Sequence, residues 1–409
     1  MNFDDTPQEA EFRAEARAFL SANATLKADA SPRDETEAEY IIRAKAWQKL
    51  KADNSWACIN YPKEFGGRGA TPMETIIWGQ EEANYDVPVQ PFAIGLGMCG
   101  PVMMMYASEE HKQARMPRMV EGVDIWCQLF SEPGAGSDLA NLRTRCERDG
   151  DDWIINGQKI WTSGAHYCDW GILVTRSDPT VPKHKGLTFF FLDMKSPGIE
   201  IRPIRQISGD ANFNEVYFSD VRIPDSQRLG EVGDGWKVSL TTLMNERLAV
   251  GTAAGADVPH LLDLARRMDI DGEPAINNPA VREKLARWHC ERAGLRNTRY
   301  RVMSALSQGK TPGPENSITK VVSAAKLQDV SCFGIDLMDM GGVMLGRDGQ
   351  ELLDGKLFHG SFLGAPGMRI AGGTDEILRN IIAERVLGLP QDVRVDKGIP
   401  FNEVEQGSG

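Results

Sequence analysis

The chain has 409 residues, 41% of them apolar and 25% charged, with a formal net charge of −12. Its length exceeds one ordinary core and its composition is globular, which excludes a disordered chain. The acidic balance, with no cluster of five or six Lys/Arg, excludes a binder of nucleic-acid backbone and suits solubility instead.

The N-terminal "MNFDDTPQEAEF" is acidic and has no apolar core behind a basic start, so a secretory signal is not expected. Residues 6–20 open with Thr6, Pro7 and Glu9, a capping box with proline at the first helical position, and Phe12, Ala16, Phe19 and Leu20 share a face. Further helical periods follow around 38–53, 71–84 and 108–121. The most apolar window, "PFAIGLGMCGPVMMMY", is broken by Gly97, Gly100 and Pro101 and is too short to span a bilayer. A soluble, cytoplasmic protein is the expectation.

From about residue 122 the texture becomes β. "DWIINGQKIWTSG", "WGILVTR", "LTFFFLDM", "IEIRPI" and "NEVYFSDVRI" are short and rich in β-branched and aromatic residues, and "NG" at 156–157 predicts a hairpin turn. Helical periods return at 236–266, 279–307, 315–340 and 374–388. The expected division is an N-terminal α domain (1–121), a middle β domain (122–230), a C-terminal α bundle (231–390) and an extended arm (391–409). An α–β–α order is not the alternating pattern of a doubly wound sheet. The seven cysteines show no paired spacing and no histidine shows ligand spacing, so neither a disulfide framework nor a metal site is expected.

Four stretches can carry chemistry. "SEPGAGSDLANL" (131–142) has Leu139 where a dinucleotide fingerprint needs its last glycine; it reads either as a Gly/Ser turn or as a loop whose backbone approaches a flat or phosphorylated ligand. Trp161, in "WTSG", reads either as a core tryptophan or as a stacking partner for an aromatic cofactor. Glu246 and Arg247 sit in a largely apolar helix, as an ion pair or as a carboxylate tuned for proton transfer. "RIAGGTDEILRNIIAERV" (369–386) begins a helix with free N–H groups behind two glycines, a seat for an anion or a polarised oxygen.

Taken in order, "CQLFSEPGAGSDLANL", "INGQKIWTSGAHYCDW", "FNEVYFSDVRIP", "GEVGDGW", the "ER" at 246–247 and "GGTDEILRNIIAERVLGLP" resemble the acyl-CoA dehydrogenase family of flavoproteins over nearly the whole chain. The resemblance implies a multi-domain α+β fold: an N-terminal helical domain, a barrel-like β domain and a C-terminal four-helix bundle. It implies FAD held by Gln128, Phe130, Ser131, Gly136 and Ser137, with Trp161 against the isoalloxazine, Thr162 and Ser163 near its reactive nitrogen, and Thr374 and Glu376 contacting the cofactor. Ser137 and Arg247 would also serve the CoA ester.

The implied reaction is α,β-desaturation of an acyl-CoA, a carboxylate taking the α-proton while hydride leaves the β-carbon for the flavin. Many members carry that carboxylate at the position of Gly372, which has no side chain to act as a base. A second branch, with isovaleryl-CoA and long-chain acyl-CoA dehydrogenases, carries it directly before an arginine, the position of Glu246. The resemblance therefore implies a buried Glu246 as base, the Gly372 N–H on the thioester oxygen, and Asp375 and Glu376 as rival carboxylates. Two departures stand out: "ARRMDIDGEPAINN" replaces an Arg-x-x-Phe pair, and Met338 replaces a glutamine, both contributors to the adenine half of FAD. Implied partners are an electron-transfer flavoprotein and further subunits, as a homodimer, a homotetramer or a heterotetramer. A same-fold flavin oxidase or monooxygenase and a non-catalytic partner subunit are the alternatives.

Overall fold

Thr6 accepts a hydrogen bond from the Glu9 N–H while the Glu9 carboxylate answers the Thr6 N–H, so the first helix starts where the sequence places it. The computed structural model describes residues 5–31, 33–249, 255–307, 313–343, 355–394 and 396–404. By contacts it forms two compact units, Met1–Arg205 with Ala211–Glu246 and Arg394–Gly409, and Gln206–Asp210 with Arg247–Val393.

In the first unit, helices α1 (Pro7–Asn23), α2 (Glu37–Asp53), α3 (Pro72–Glu82), α4 (Gly100–Tyr106) and α5 (Glu109–Val120) precede a seven-stranded sheet. Its strands are β1 (Trp126–Leu129), β2 (Arg145–Asp149), β3 (Asp152–Ser163), β4 (Trp170–Arg176), β5 (Leu187–Asp193), β6 (Ile199–Ile204) and β7 (Phe213–Pro224). They run in the order β1-β4-β2-β3-β7-β6, with β5 on β4. β1 is parallel to β4, while β3, β7 and β6 form an antiparallel series. β5 is buried on both faces because alternate side chains enter different cores: Phe189 and Phe191 join Met103, Met116 and Trp170, whereas Phe190 and Leu192 join Trp153, Val216 and Phe218. The helix α6 (Gly235–Ala249) starts in this unit, its Val238 buried in the first of those cores.

The "NG" pair is not a hairpin turn. Asn156 and Gly157 lie inside β3 at a register shift against β7, and the β2–β3 turn falls at Gly150 and Asp151 instead. Gly157 is required there by φ +152° and by close approach, since a Cβ would come within 2.6 Å of the Thr144 Cα. The arm from 396 folds back on the loop between β4 and β5, with the Phe401 and Asn402 N–H groups donating to the Val181 and Pro179 carbonyls.

The second unit holds α7 (Val258–Arg267), a two-residue hairpin of β8 (Asp269–Ile270) and β9 (Glu273–Pro274), and then α8 (Pro279–Ser307), α9 (Ser317–Leu337), α10 (Gly355–Ile370) and α11 (Asp375–Ile381). Its core joins Leu261, Leu264, Leu285, Trp288, Val330 and Phe358. The single period expected over 236–266 is two helices, α6 and α7, with 250–254 outside the described residues. Helix α10 has no counterpart among the expected elements.

Candidate active site

β3 carries the first group of candidate residues. Between Lys159 and Thr162 its register against β7 slips, leaving Ile160 and Trp161 as a bulge. Trp161 takes φ +60°, a left-handed conformation costing about 1–3 kcal/mol for a bulky side chain. Its indole is 53% exposed and meets Phe213 edge-on, with ring centroids 6.0 Å apart. The core reading of this tryptophan is thereby overturned. Thr162 beside it is buried, and its Oγ1 has no hydrogen-bond partner among the described residues. A buried hydroxyl without a partner costs about 1–3 kcal/mol, a cost that a donor or acceptor brought by a ligand would relieve.

The Gly/Ser loop lies against this strand. The Ile160 N–H donates to the Ser131 carbonyl at 2.9 Å, and Lys159 Nζ to the Phe130 carbonyl at 2.9 Å. Lys159 also pairs with Glu132 at 2.8 Å, and the Glu132 carboxylate accepts from the Arg143 and Thr144 N–H groups at 2.6 and 2.9 Å. Burial pushes the Glu132 carboxyl up, but the Lys159 charge and these donors outweigh it and hold it below its ordinary range. At Gly134 and Gly136 an added Cβ would meet open space, so these glycines serve no internal packing and leave the loop face open to a ligand. Gly136 and Ser137 are exposed, Gln128 and Ser131 half-buried, while the Phe130 ring packs edge-on against Phe189, with centroids 5.7 Å apart. Phe130 therefore offers the loop its backbone rather than its ring. The two stretches 128–137 and 161–163 are thus brought together, and the pair that joins them, Lys159 and Glu132, is not singled out by any sequence motif.

On α6, Ser239 and Thr242 are fully buried and return their hydroxyls to the Gly235 and Val238 carbonyls. Glu246, one turn beyond Thr242 on the same side, is half-buried, not buried as expected from the sequence. The Arg247 side chain lies outside the described residues.

The second unit carries the C-terminal group. Gly372 and Gly373 take φ +65° and +92°, and Thr374 then caps α11 by accepting from the Ile377 N–H. Asp375 is sealed between Lys320 Nζ at 3.1 Å and Arg369 Nε at 2.8 Å, while Lys320 also donates to the Arg369 and Gly373 carbonyls at 2.8 Å. Burial raises the Asp375 carboxyl, but Arg369 and Lys320 outweigh it and hold the group low. A carboxylate so held is a weak base. Glu376 is exposed, and Met338 is buried in the core of this unit.

Family models for the acyl-CoA dehydrogenase N-terminal, middle and C-terminal domains match residues 6–123, 127–221 and 233–387. The chain belongs to the acyl-CoA dehydrogenase family. Members of this family are FAD-dependent flavoprotein oxidoreductases. Acyl-CoA dehydrogenase IpdE1 of Mycobacterium tuberculosis is 35% identical over 94% of this chain and 98% of its own length. Acyl-CoA dehydrogenase FadE34 of the same organism is 38% identical over 84% of this chain, which spans only 46% of that longer protein. A solved structure described as "Tcur3481-Tcur3483 steroid ACAD" superposes with a TM-score of 0.78 at 28% identity, covering 96% of this chain and all of that one. The helical, β and helical segments described above match the acyl-CoA dehydrogenase fold. Among the described residues no helix is long and apolar enough to cross a membrane, and no group of three or more His, Cys, Asp or Glu side chains could hold a metal ion.

Proposed function

We propose that the chain desaturates an acyl-CoA thioester to its trans-2-enoyl form, with Glu246 removing the α-proton. The observation carrying this reading is the Trp161–Thr162 pair: an indole face open to solvent beside a buried hydroxyl that lacks a partner among the described residues. That combination suits the face and polar edge of a flavin. FAD, when bound, supplies the two-electron acceptor for the hydrogen leaving the β-carbon. Ser131, Gly136, Ser137 and the backbone at Gln128 and Phe130 would hold its phosphate and ring edges, with Ser163, Thr374 and Glu376 as further contacts. The same reading divides the chain at 1–121, 122–230, 231–390 and 391–409.

An α-proton of a thioester is too weakly acidic for an unaided carboxylate. The site must stabilise the enolate oxygen as charge develops, and this is usually the larger contribution. We assign that role to the Gly372 N–H, in a turn whose left-handed backbone suits glycine. Glu246 is preferred as base because Asp375 is held low by two cations and Glu376 is exposed. Arg247, with Ser137, would bind the CoA ester. Electrons pass on this reading to an electron-transfer flavoprotein.

The steroid dehydrogenase likeness and a base borne on α6 favour a bulky, branched or steroid acyl group. Exposed Met340, Val343, Ile370 and Leu387 in the second unit supply apolar surface for further subunits, a homodimer or homotetramer first and a heterotetramer second. Anaerobic mixing of the purified yellow protein with straight, branched, aromatic and steroid acyl-CoAs tests the whole reading. Bleaching by the bulky thioesters with slow recolouring in air supports a dehydrogenase, and rapid recolouring points to an oxidase. A colourless protein inert toward every thioester makes it a partner subunit and sinks the proposal.

A further inference from the structure

Trp161 holds a strained conformation while its side chain stands largely in solvent, so its own packing does not explain the strain. Such conformations persist only where the surroundings over-determine them. Next to Trp161 in the sheet stands Asn214, fully buried and paired in register with Thr162. Its Nδ2 donates to the Thr162 carbonyl at 3.0 Å, because a carbonyl can only accept. That fixes the amide orientation and turns Oδ1 toward His166 Nδ1, 3.1 Å away. His166 Nε2 in turn faces the Glu37 carboxylate on α2 at 2.9 Å. Both ring nitrogens thus face oxygen atoms of neighbouring side chains. The chain Glu37–His166–Asn214–Thr162 ties an N-terminal helix, through side chains alone, to the backbone beside the indole.

We infer that Asn214 and His166 are positioning residues for the cofactor face, holding Trp161 outward and keeping the Thr162 hydroxyl aimed at a ligand. The inference rests on the flavoprotein reading above. Neither residue touches the open face itself; each acts through the Thr162 carbonyl. Asn214→Asp is the sharpest probe, since it keeps size and shape but sets a carboxylate oxygen against that carbonyl.

Wild-type enzyme, Asn214→Asp, His166→Ala and His166→Gln are stripped of flavin and titrated with FAD, recording the dissociation constant, visible flavin spectrum, reduction potential and Tm. Asn214→Asp is expected to weaken FAD about tenfold and to shift the flavin bands and potential. His166→Ala moves all three the same way by less, and His166→Gln, which restores one donor, recovers part of the change. These are readouts that a general loss of stability would not move together. Should Asn214→Asp not fold, the two variants at the more accessible His166 decide. Folded variants with wild-type FAD affinity, spectrum and potential overturn the inference alone. Wild-type protein that takes up no FAD overturns the flavoprotein reading and this inference with it.

Discussion

Lys159 and Glu132 face each other at 2.8 Å with side chains 0% and 8% exposed, so the loop that would hold the cofactor is fastened to β3 by an ion pair out of reach of water. Removing one partner strands the other's charge. Lys159→Met is expected to cost about 3–5 kcal/mol, while Lys159→Met combined with Glu132→Leu recovers only part of it, because the Arg143 and Thr144 N–H groups and the Phe130 carbonyl lose these partners. Denaturant melts of the single and double variants measure this; a single variant as stable as wild type contradicts the assignment.

Thr162→Val separates folding from binding. The valine removes a buried hydroxyl that has no partner among the described residues, so the flavin-free protein should be as stable as wild type or more so. FAD affinity should fall about tenfold for the lost contact. Opposite signs in Tm of the stripped protein and in FAD affinity are the signature; weakening of both would make the hydroxyl structural.

Glu246→Gln should leave folding and yellow colour intact and slow bleaching by acyl-CoA by several orders of magnitude. Asp375→Asn should do the reverse, lowering Tm because Lys320 and Arg369 lose their counter-charge, with a far smaller effect on the chemical step in the molecules that remain folded. Rapid single-turnover reduction decides, and ordinary bleaching by Glu246→Gln would remove it as base.

Acid should weaken the first unit through two carboxylates. Asp225 is drawn down to about 2 by Arg228 and by the Trp153 indole N–H at 2.7 Å, against a partial opposing effect of burial. Glu132 is also held low. A carboxylate lower in the folded than in the unfolded state stabilises fully above its unfolded value, and that stability is lost as pH falls through the folded one. The loss therefore runs from about pH 4 down to about 2, and Asp225→Asn should flatten it. Melting curves across that window supply the measurement.

The first helix was legible at its start, since Thr6, Pro7 and Glu9 announce it by local chemistry, and the next two were legible by their period, with Thr36 and Thr71 found in the structure to cap them. Trp161 and the loop at 131–137 were legible as candidates because aromatic and glycine-rich stretches imply ligands. What escaped has a non-local cause. Asn156–Gly157 uses the conformations of a tight turn, yet close packing against Thr144 makes it a bulge in a long strand. Helix α10 is masked by Gly360, Gly364, Pro366 and Gly367, whose low helix propensity is overridden by burial of Phe358 and Ala365. Lys159 and Asn214 read as ordinary polar strand residues, and only the fold reveals that they point inward.

The arm beyond residue 396 has a consequence for biosynthesis. Arg176, at the end of β4, gives its guanidinium to the carbonyls of Ala140, Leu142 and Lys183, and the Phe401 ring covers its cation at 3.6 Å. That cover is encoded after the entire helical segment. A nascent chain leaving the ribosome must therefore carry its finished strands with one basic corner uncovered until the helical segment has also been made, and closure of this corner is a long-range step that follows it.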